Sequence, residues 1–277
     1  CINWAGSWPT RIRAARRPDP EPGAGMGIEI NDREYAQIQA FIFDAVGIAL
    51  GPSKKHLVTG RLEKRLRHHH CGSYSYLRLL SDPREAAEAQ QAIDLLTTNE
   101  TYFFREPKHF DLLATEAREA RQEGRALRVW SAACSSGEEP YSIAMVLDDT
   151  QPGQRWEVVA SDINSRTTHI PPAYLSRYCL RGTGTQSGTL LIQRELRDRV
   201  QFMQINLDRT LPRVGVFDVV FLRNVMIYFN LETKRRVVQR LLTVLRPGGL
   251  LLIGHSESLH DISAELVPVR PSVYRRV

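Results

Sequence analysis

The sequence predicts an α/β fold, with a largely parallel β-sheet covered by helices. A small all-helical domain precedes the sheet along the chain. Three observations support this prediction. Residues 30–96 carry apolar side chains at helical spacing, residues 123–277 alternate short apolar runs with helical segments, and residues 127–147 have the pattern strand, small-residue turn, helix. Strands that alternate with helices form parallel sheets, because each helix carries the chain back to the same edge.

The composition is that of a globular protein with a sizeable core. The chain has 277 residues, of which 42% are hydrophobic and 25% charged, and its formal net charge is +6. No run reaches the ~18 apolar residues of a membrane-spanning helix, so we expect no membrane insertion. The first 27 residues are rich in Arg, Pro and Gly without periodicity, and we expect them to be disordered. The scattered cysteines indicate reduced thiols and a cytoplasmic location; they are Cys1, Cys71, Cys134 and Cys179.

Residues 28–96 form the predicted helical domain. Asn31 or Asp32 caps its first helix, which ends at Gly47. Further helices are predicted over Ser53–His70, Tyr74–Leu80 and Arg84–Leu95. The second helix has a basic face that suits an acidic partner, with Lys54, Lys55, Arg61, Lys64 and Arg65. The consecutive histidines 68–70 diverge around the helix, which favours a solvated helix end over a metal site.

Residues 97–122 form a junction and a linker helix that starts at Pro107. The sheet domain follows over residues 123–277. Its strands are predicted at Leu127–Ala132, Trp156–Ala160, Val200–Gln204, Phe217–Leu222 and Leu250–Gly254, and its helices at Glu138–Leu147, near Asn164, at Arg194–Arg199 and at Leu231–Leu245. Two short β runs at the end, Glu265–Val269 and Val273–Val277, predict an antiparallel pair.

The turn after the first strand is the clearest candidate for a ligand site. Residues 133–137 are all small, so a ligand can approach the backbone at the helix start. The spacing does not match G-x-G-x-x-G, and Glu138 and Glu139 would repel a pyrophosphate. These acids suit an ammonium and hydroxyl groups, which points to S-adenosylmethionine. An ordinary strand–helix turn, with acids favoured by the helix dipole, explains the stretch equally well.

Polar residues follow three further strands. Asp162, after the second strand, is placed to accept hydrogen bonds from ribose hydroxyls, although it would also serve as an N-cap. Asn206, after the third, suits an adenine or a simple turn. Arg223 and Asn224 end the fourth strand, and Tyr228 lies one turn later, where it either lines the site or packs in the core.

Four motifs together resemble the chemotaxis-receptor glutamate methyltransferases, the CheR family. They are Leu-Thr-Thr-Asn-Glu-Thr-Tyr-Phe-Phe-Arg-Glu at 96–106, Trp-Ser-Ala-Ala-Cys-Ser-Ser-Gly-Glu-Glu-Pro-Tyr-Ser at 130–142, Arg-Asn-Val-Met-Ile-Tyr-Phe at 223–229, and Leu-Arg-Pro-Gly-Gly at 245–249 with Gly-His-Ser-Glu-Ser at 254–258. The resemblance covers residues 30–277. It implies a Rossmann-like S-adenosylmethionine-dependent methyltransferase sheet with a β-subdomain insertion near residues 178–200. The family usually carries a longer helix and loop between Asp162 and Arg181.

The resemblance also implies the site. S-adenosylmethionine would contact Asn99, Thr101, Arg105, Glu139, Asp162, Asn206, Leu207, Arg223 and Asn224. The basic helical domain would face the acidic helical bundle of a methyl-accepting chemotaxis receptor. In some members of the family the β-subdomain grips a receptor tail peptide.

The expected reaction transfers a methyl group from S-adenosylmethionine to a glutamate side chain, giving a methyl ester and S-adenosylhomocysteine. A glutamate with pKa ~4.3 is ionised at neutral pH, so no general base is needed. Arg105 and Tyr228 are the candidates for holding that carboxylate. We expect a monomer that uses no metal and binds no nucleic acid. The alternatives are a nucleic-acid methyltransferase, suggested by the positive charge, and a signalling module that binds S-adenosylmethionine without turnover.

Overall fold

The computed structural model describes residues 30–97, 100–162, 178–181 and 190–277. The chain divides into two compact units, Cys1–Thr98 and Asn99–Val277. Three expectations lie outside the described residues: the disorder of residues 1–27, the helix near Asn164 with the segment that follows Asp162, and the site residue Asn99.

The first unit consists of helices. They are α1 (Asp32–Val46), α2 (Lys55–His68), α3 (Ser73–Leu80) and α4 (Ala86–Leu96), with single 3₁₀ turns at Pro52–Lys54 and Pro83–Glu85. The Asn31 side chain caps α1 by accepting from the backbone N–H of Glu34 at 3.0 Å, and Glu34 accepts from Asn31 in return at 2.9 Å. Gly47 ends the helix with a φ of 74°, a conformation that favours glycine. The apolar faces meet in a core that includes Ile38, Ile42, Leu62, Leu66, Leu77 and Ile93.

One buried acid anchors the basic helix of this unit. Glu88 on α4 is buried, and Arg65 on α2 pairs with both of its oxygens, Nε to Oε1 at 2.9 Å. The Tyr76 hydroxyl donates to Oε1 at 2.5 Å, and His69 Nε2 lies 3.2 Å from Oε2. Burial alone would raise the pKa of Glu88, but these three partners outweigh it and lower that pKa to about 2. The acid is therefore ionised and fully engaged at neutral pH.

The second unit is built on a seven-stranded sheet. Its helices are α5 (Pro107–Gln122), α6 (Glu138–Thr150), α7 (Arg194–Arg197) and α8 (Leu231–Val244). Its strands are β1 (Leu127–Ser131), β2 (Trp156–Asp162), β5 (Val200–Gln204), β6 (Phe217–Leu222), β7 (Leu245–Ile253), β8 (Leu266–Arg270) and β9 (Val273–Arg276). The strand order is β5-β2-β1-β6-β7-β9-β8.

Five strands of this sheet are parallel, and β9 and β8 add the expected antiparallel pair at one side. Every residue of β6 is buried, as a central strand covered on both faces requires. Two further strands, β3 (Cys179–Arg181) and β4 (Leu190–Ile192), form a separate antiparallel pair within the region expected to hold the β-subdomain. Among the described residues, none of the helices combines the length and apolar character of a membrane span.

The largest difference from the predicted elements concerns β7. We expected a helix that ends at Leu245 and a strand that starts at Leu250, but the strand begins at Leu245. Its pairing with β6 jumps from Phe217–Leu245 to Val219–Leu250, so the intervening residues bulge. Gly249 lies at this bulge, where a Cβ would come within 2.9 Å of the Asp218 carbonyl oxygen. A bulge of this kind depends on the neighbouring strand and leaves little local signal.

Candidate active site

The site lies where the parallel strands end. The turn after β1 contains Ser135 and Gly137, whose φ angles are 48° and 102°. The Ser135 N–H donates to Asp162 Oδ2 at 2.7 Å, and the Cys134 N–H donates to the Ser161 carbonyl at 2.9 Å. Both bonds tie the turn to the end of β2. Asp162 therefore lies beside the small-residue turn, and its proposed contact with ribose hydroxyls stays a prediction.

A buried ion pair links β6 to the start of α6. The Arg223 Nη1 donates to Glu139 Oε2 at 3.0 Å, and the Ser131 hydroxyl donates to Glu139 Oε1 at 2.7 Å. Burial raises the pKa of Glu139, while Arg223 and Ser131 oppose that shift. Both carboxylate oxygens of this predicted cofactor ligand thus have partners within the protein.

Arg223 also fixes the segment that carries Arg105. Its Nη2 donates to the Arg105 carbonyl and lies 3.3 Å from Glu106 Oε2. The Arg105 guanidinium itself donates to the Glu100 carbonyl at 2.8 Å and lies 5.8 Å from the ring centroid of Tyr102. Arg223 is therefore buried and holds the backbone at Arg105, whose half-buried guanidinium is close enough to Glu139 to oppose the rise in the pKa of that acid.

The loop after β6 is held by a residue that sequence reasoning missed. Glu257 accepts the backbone N–H groups of Asn224 at 3.0 Å and Gly254 at 2.6 Å through Oε2. Through Oε1 it accepts those of Met226 at 2.7 Å and Ile227 at 3.3 Å. This one carboxylate therefore fixes the loop that includes Asn224, with a φ of 57°, and leads into the 3₁₀ turn Met226–Tyr228.

The polar groups of the loop after β5 bond to other groups within the protein. Asn206 Oδ1 accepts the backbone N–H of Asp208 at 2.9 Å, which is the turn alternative left open by the sequence. Leu207 is buried, and its carbonyl accepts from Arg240 at 3.3 Å. Asp208 pairs with Arg236 at 3.0 Å, which further joins this loop to α8. The bond to Asp208 occupies one lone pair of the Asn206 amide oxygen.

Both units match models of one protein family. Residues 99–273 match the model described as "CheR methyltransferase, SAM binding domain", and residues 33–97 match "CheR methyltransferase, all-alpha domain". The chain belongs to the CheR methyltransferase family. It is an S-adenosylmethionine-dependent methyltransferase, and the fold and family expected from the sequence are confirmed.

Related proteins match over nearly the whole CheR-family chain. The chemotaxis protein methyltransferase of Escherichia coli (strain K12) is 40% identical over 268 residues, which is 89% of this chain and 92% of the relative. The protein of the same name from Salmonella typhimurium is 39% identical, with 89% and 91% covered. Chemotaxis protein methyltransferase 2 of Pseudomonas aeruginosa is 40% identical, with 87% and 92% covered.

The donor set of this CheR-family chain fits S-adenosylmethionine. A cationic amine and ribose hydroxyls need carboxylates; Glu139 follows the small-residue turn at the start of α6, and Asp162 accepts from Ser135 within the turn. The residues of that turn, 133–137, are all small, so they leave room for a ligand beside the backbone. Thr101 is half-buried in the segment before α5. The individual contacts, including those of Arg223, Asn224 and the loop after β5, remain predictions.

The predicted docking residues divide into two groups. Lys54 and Lys64 are exposed on the first unit. Arg65 is instead bound to buried Glu88, and Arg61 donates to the carbonyls of Leu96 and Thr97 at 3.1 and 3.2 Å. Lys55 pairs with Asp32 at 2.6 Å. The basic helix thus offers fewer free cations than its sequence indicates.

The missed residues share one property. Glu106 and Glu257 both occur inside the quoted family motifs, yet their partners Arg223 and Asn224 lie far away along the chain. The spacing of residues within a motif does not reveal contacts with residues outside that motif. The available signal was the presence of an acid in each motif, which the sequence analysis left without a role.

Proposed function

We propose that this chain transfers methyl groups from S-adenosylmethionine to glutamate side chains of chemotaxis receptors, giving methyl esters and S-adenosylhomocysteine. The observation that carries the proposal is the similarity of both units to chemotaxis protein methyltransferases, at about nine tenths coverage of each chain. The geometry supports it, because Arg223 holds the backbone of Arg105 at the edge of the sheet where ligands bind in such folds.

The protein's work in this reaction is orientation. S-adenosylmethionine, when bound, supplies an electrophilic methyl group on a sulfonium. The glutamate substrate is already ionised, so no side chain has to remove a proton. Arg105 and Tyr228 would donate hydrogen bonds to the carboxylate and aim its oxygen. Correct alignment of reacting groups contributes on the order of 7–11 kcal/mol in favourable cases.

Arg223 and Glu257 would act through their neighbours. Arg223 holds the Arg105 carbonyl, and Glu257 holds the loop of Asn224. Asp162 would accept hydrogen bonds from the ribose, and Glu139 would face the ammonium of the methionine part. Removing water from around the substrate carboxylate would further favour transfer.

Docking would use the exposed cations of the helical unit. Lys54 and Lys64 would attract the acidic helical bundle of a receptor and speed the encounter. We propose that the protein works as a monomer and without nucleic acid.

The test uses the full chain, S-adenosylmethionine labelled on its methyl group, and a receptor cytoplasmic fragment. Label that leaves the receptor as methanol in mild base identifies a glutamate methyl ester. Arg105→Ala serves as the control with impaired chemistry, since it removes the guanidinium, and circular dichroism checks that the variant is folded. Label on added RNA, or bound cofactor without transfer to the receptor, would contradict the proposal and support one of the two alternatives.

A further inference from the structure

We propose that Glu106, His109 and His255 form a binding site for Zn²⁺ or a similar divalent transition-metal ion. The site lies beside the methyl-transfer groups but takes no part in their chemistry. It would join the start of α5 to the segment that follows β7, two parts of the second unit that are distant in sequence.

The donor atoms are spaced for such an ion. His109 Nδ1 lies 3.4 Å from Glu106 Oε2, and His255 Nε2 lies 3.8 Å from the same oxygen. Ligand atoms of all three residues lie within 4.8 Å of one another. Bonds of about 2.0–2.2 Å in a tetrahedral site put neighbouring ligand atoms about 3.4 Å apart. The His255 side chain is 55% exposed, so a small inward movement of its ring completes the geometry.

The side chains of Glu106 and His109 have buried polar atoms without a hydrogen-bond partner among the described residues. Within the described parts of the chain, both ring nitrogens of His109 have no hydrogen-bond partner, and Glu106 Oε2 has none besides its ion pair with Arg223 at 3.3 Å. His109 is only 2% exposed, and buried polar atoms of this kind are rarely left unbonded. An ion bound to Nδ1 and Oε2 satisfies one atom of each residue. No other three such side chains meet in this way among the residues described.

The charges permit binding and limit its strength. Burial, followed by the nearby Arg223, lowers the pKa of His109 to about 4, so the ring is neutral and keeps a lone pair at pH 7. Burial would raise the pKa of Glu106, but Arg223 and the His255 N–H outweigh it and keep the carboxylate ionised. Arg223 and the start of α5 both oppose a cation, whereas Glu139 compensates Arg223. We therefore expect weaker binding than at a four-ligand structural zinc site.

Calorimetric titration of the full chain with Zn²⁺ tests the site. The parent protein carries His68→Ala and His70→Ala, which removes two exposed histidines of the helical unit. One ion per chain is expected, with His255→Ala weakening binding at least tenfold. His260→Ala is the matched control, since this exposed histidine lies five positions further on and should leave binding unchanged.

A second measurement covers variants that fold poorly. Zn²⁺ should raise the melting temperature of the parent, because an ion that binds only the folded chain stabilises it. His255→Ala should lose that increase, and Glu106→Gln and His109→Ala should bind Zn²⁺ at least tenfold more weakly where they fold. Absence of saturable binding in the parent, or unchanged affinity in His255→Ala, would overturn the proposal. Neither result depends on methyl transfer.

Discussion

Glu257 Oε2 accepts the backbone N–H of Asn224 at 3.0 Å, and the same oxygen accepts that of Gly254 at 2.6 Å. One carboxylate thereby joins the loop after β6 to the loop after β7. A Cβ at Gly254 would collide with the Asn224 side chain, so the glycine is what allows this close approach.

Glu257→Gln should lower kcat by about 10- to 100-fold, because an amide presents an NH₂ group to N–H donors that need an acceptor. The loop that leads to Tyr228 and includes the predicted cofactor contact Asn224 would shift, so the Kd for S-adenosylmethionine should rise as kcat falls. Glu195→Gln, an exposed acid, is the control. Unchanged kcat in a folded Glu257→Gln protein would remove this residue from the positioning of the site.

Asp162→Ala should weaken S-adenosylmethionine binding by roughly 1.5–3 kcal/mol, the usual cost of losing a hydrogen bond to a charged group. The variant loses both the proposed ribose contact and the bond that holds the turn at Ser135. Calorimetry on this variant and on Asp148→Ala, a half-exposed acid of α6, separates the site from general charge effects. Equal affinity in the two variants would exclude Asp162 as a cofactor ligand.

Tyr228→Phe should reduce kcat by about 10- to 100-fold with little change in cofactor affinity, corresponding to one lost hydrogen bond of ~1.5–3 kcal/mol. The rate of the unmodified enzyme should be flat from about pH 6.5 to 9, since the substrate carboxylate is ionised throughout. A rate that rises around pH ~8, and no longer does so in Tyr228→Phe, would show instead that the phenol acts as a base.

Lys54→Glu combined with Lys64→Glu should raise KM for the receptor several-fold and leave cofactor affinity intact. The effect should fade as salt increases, because exposed charges are screened. Arg118→Glu with Arg235→Glu changes the net charge equally at exposed positions of the other unit. If both double variants raise KM alike, the helical unit offers no specific docking face. Arg61 and Arg65 are unsuitable for this test, because their side chains hold the unit together.

Glu88 should make the helical unit sensitive to acid. Its pKa is about 2 in the folded chain and ordinarily 4.5, so its stabilisation is complete above pH 4.5 and is lost as the pH falls towards 2. The difference amounts to roughly 3 kcal/mol. The gap in unfolding free energy between the unmodified protein and Glu88→Gln should therefore narrow over that range. The Glu85→Gln variant, changed at an exposed acid, should have the same unfolding free energy as the unmodified protein. If the difference between the unmodified protein and Glu88→Gln stays constant down to pH 2.5, the pKa of Glu88 is not lowered in the folded chain.

The helices and most strands could be predicted from sequence because their signals are local. Asn31 and Glu34 form a capping pair within four residues, and β6 is a continuous apolar run. The position of Asp162 at the end of β2 could be predicted because the strand before it is a local apolar run, whereas its role as a cofactor ligand stays a prediction. The start of β7 was missed because its bulge depends on β6.

The interpretation of individual charges was less successful for a physical reason. Arg65 looks solvated on a basic helix, yet its partner Glu88 lies 23 positions away and is buried. Arg223 bonds within the protein to Glu139 and to the Arg105 carbonyl, neither of which is near it in sequence, and its contact with the cofactor stays a prediction. Tertiary packing decides which charged side chains face solvent, and their partners cannot be identified from a single sequence.

The place of β9 in the sheet has a consequence for how the protein is made. This strand follows β8 along the chain, but in the sheet it lies between β7 and β8, so β8 is the edge strand. During synthesis β8 leaves the ribosome before the strand it pairs with, and β7 meanwhile presents an unpaired edge. Open edges of this kind invite pairing with other chains. A nonsense codon between residues 270 and 273 would therefore release a chain that lacks β9 and is prone to aggregation.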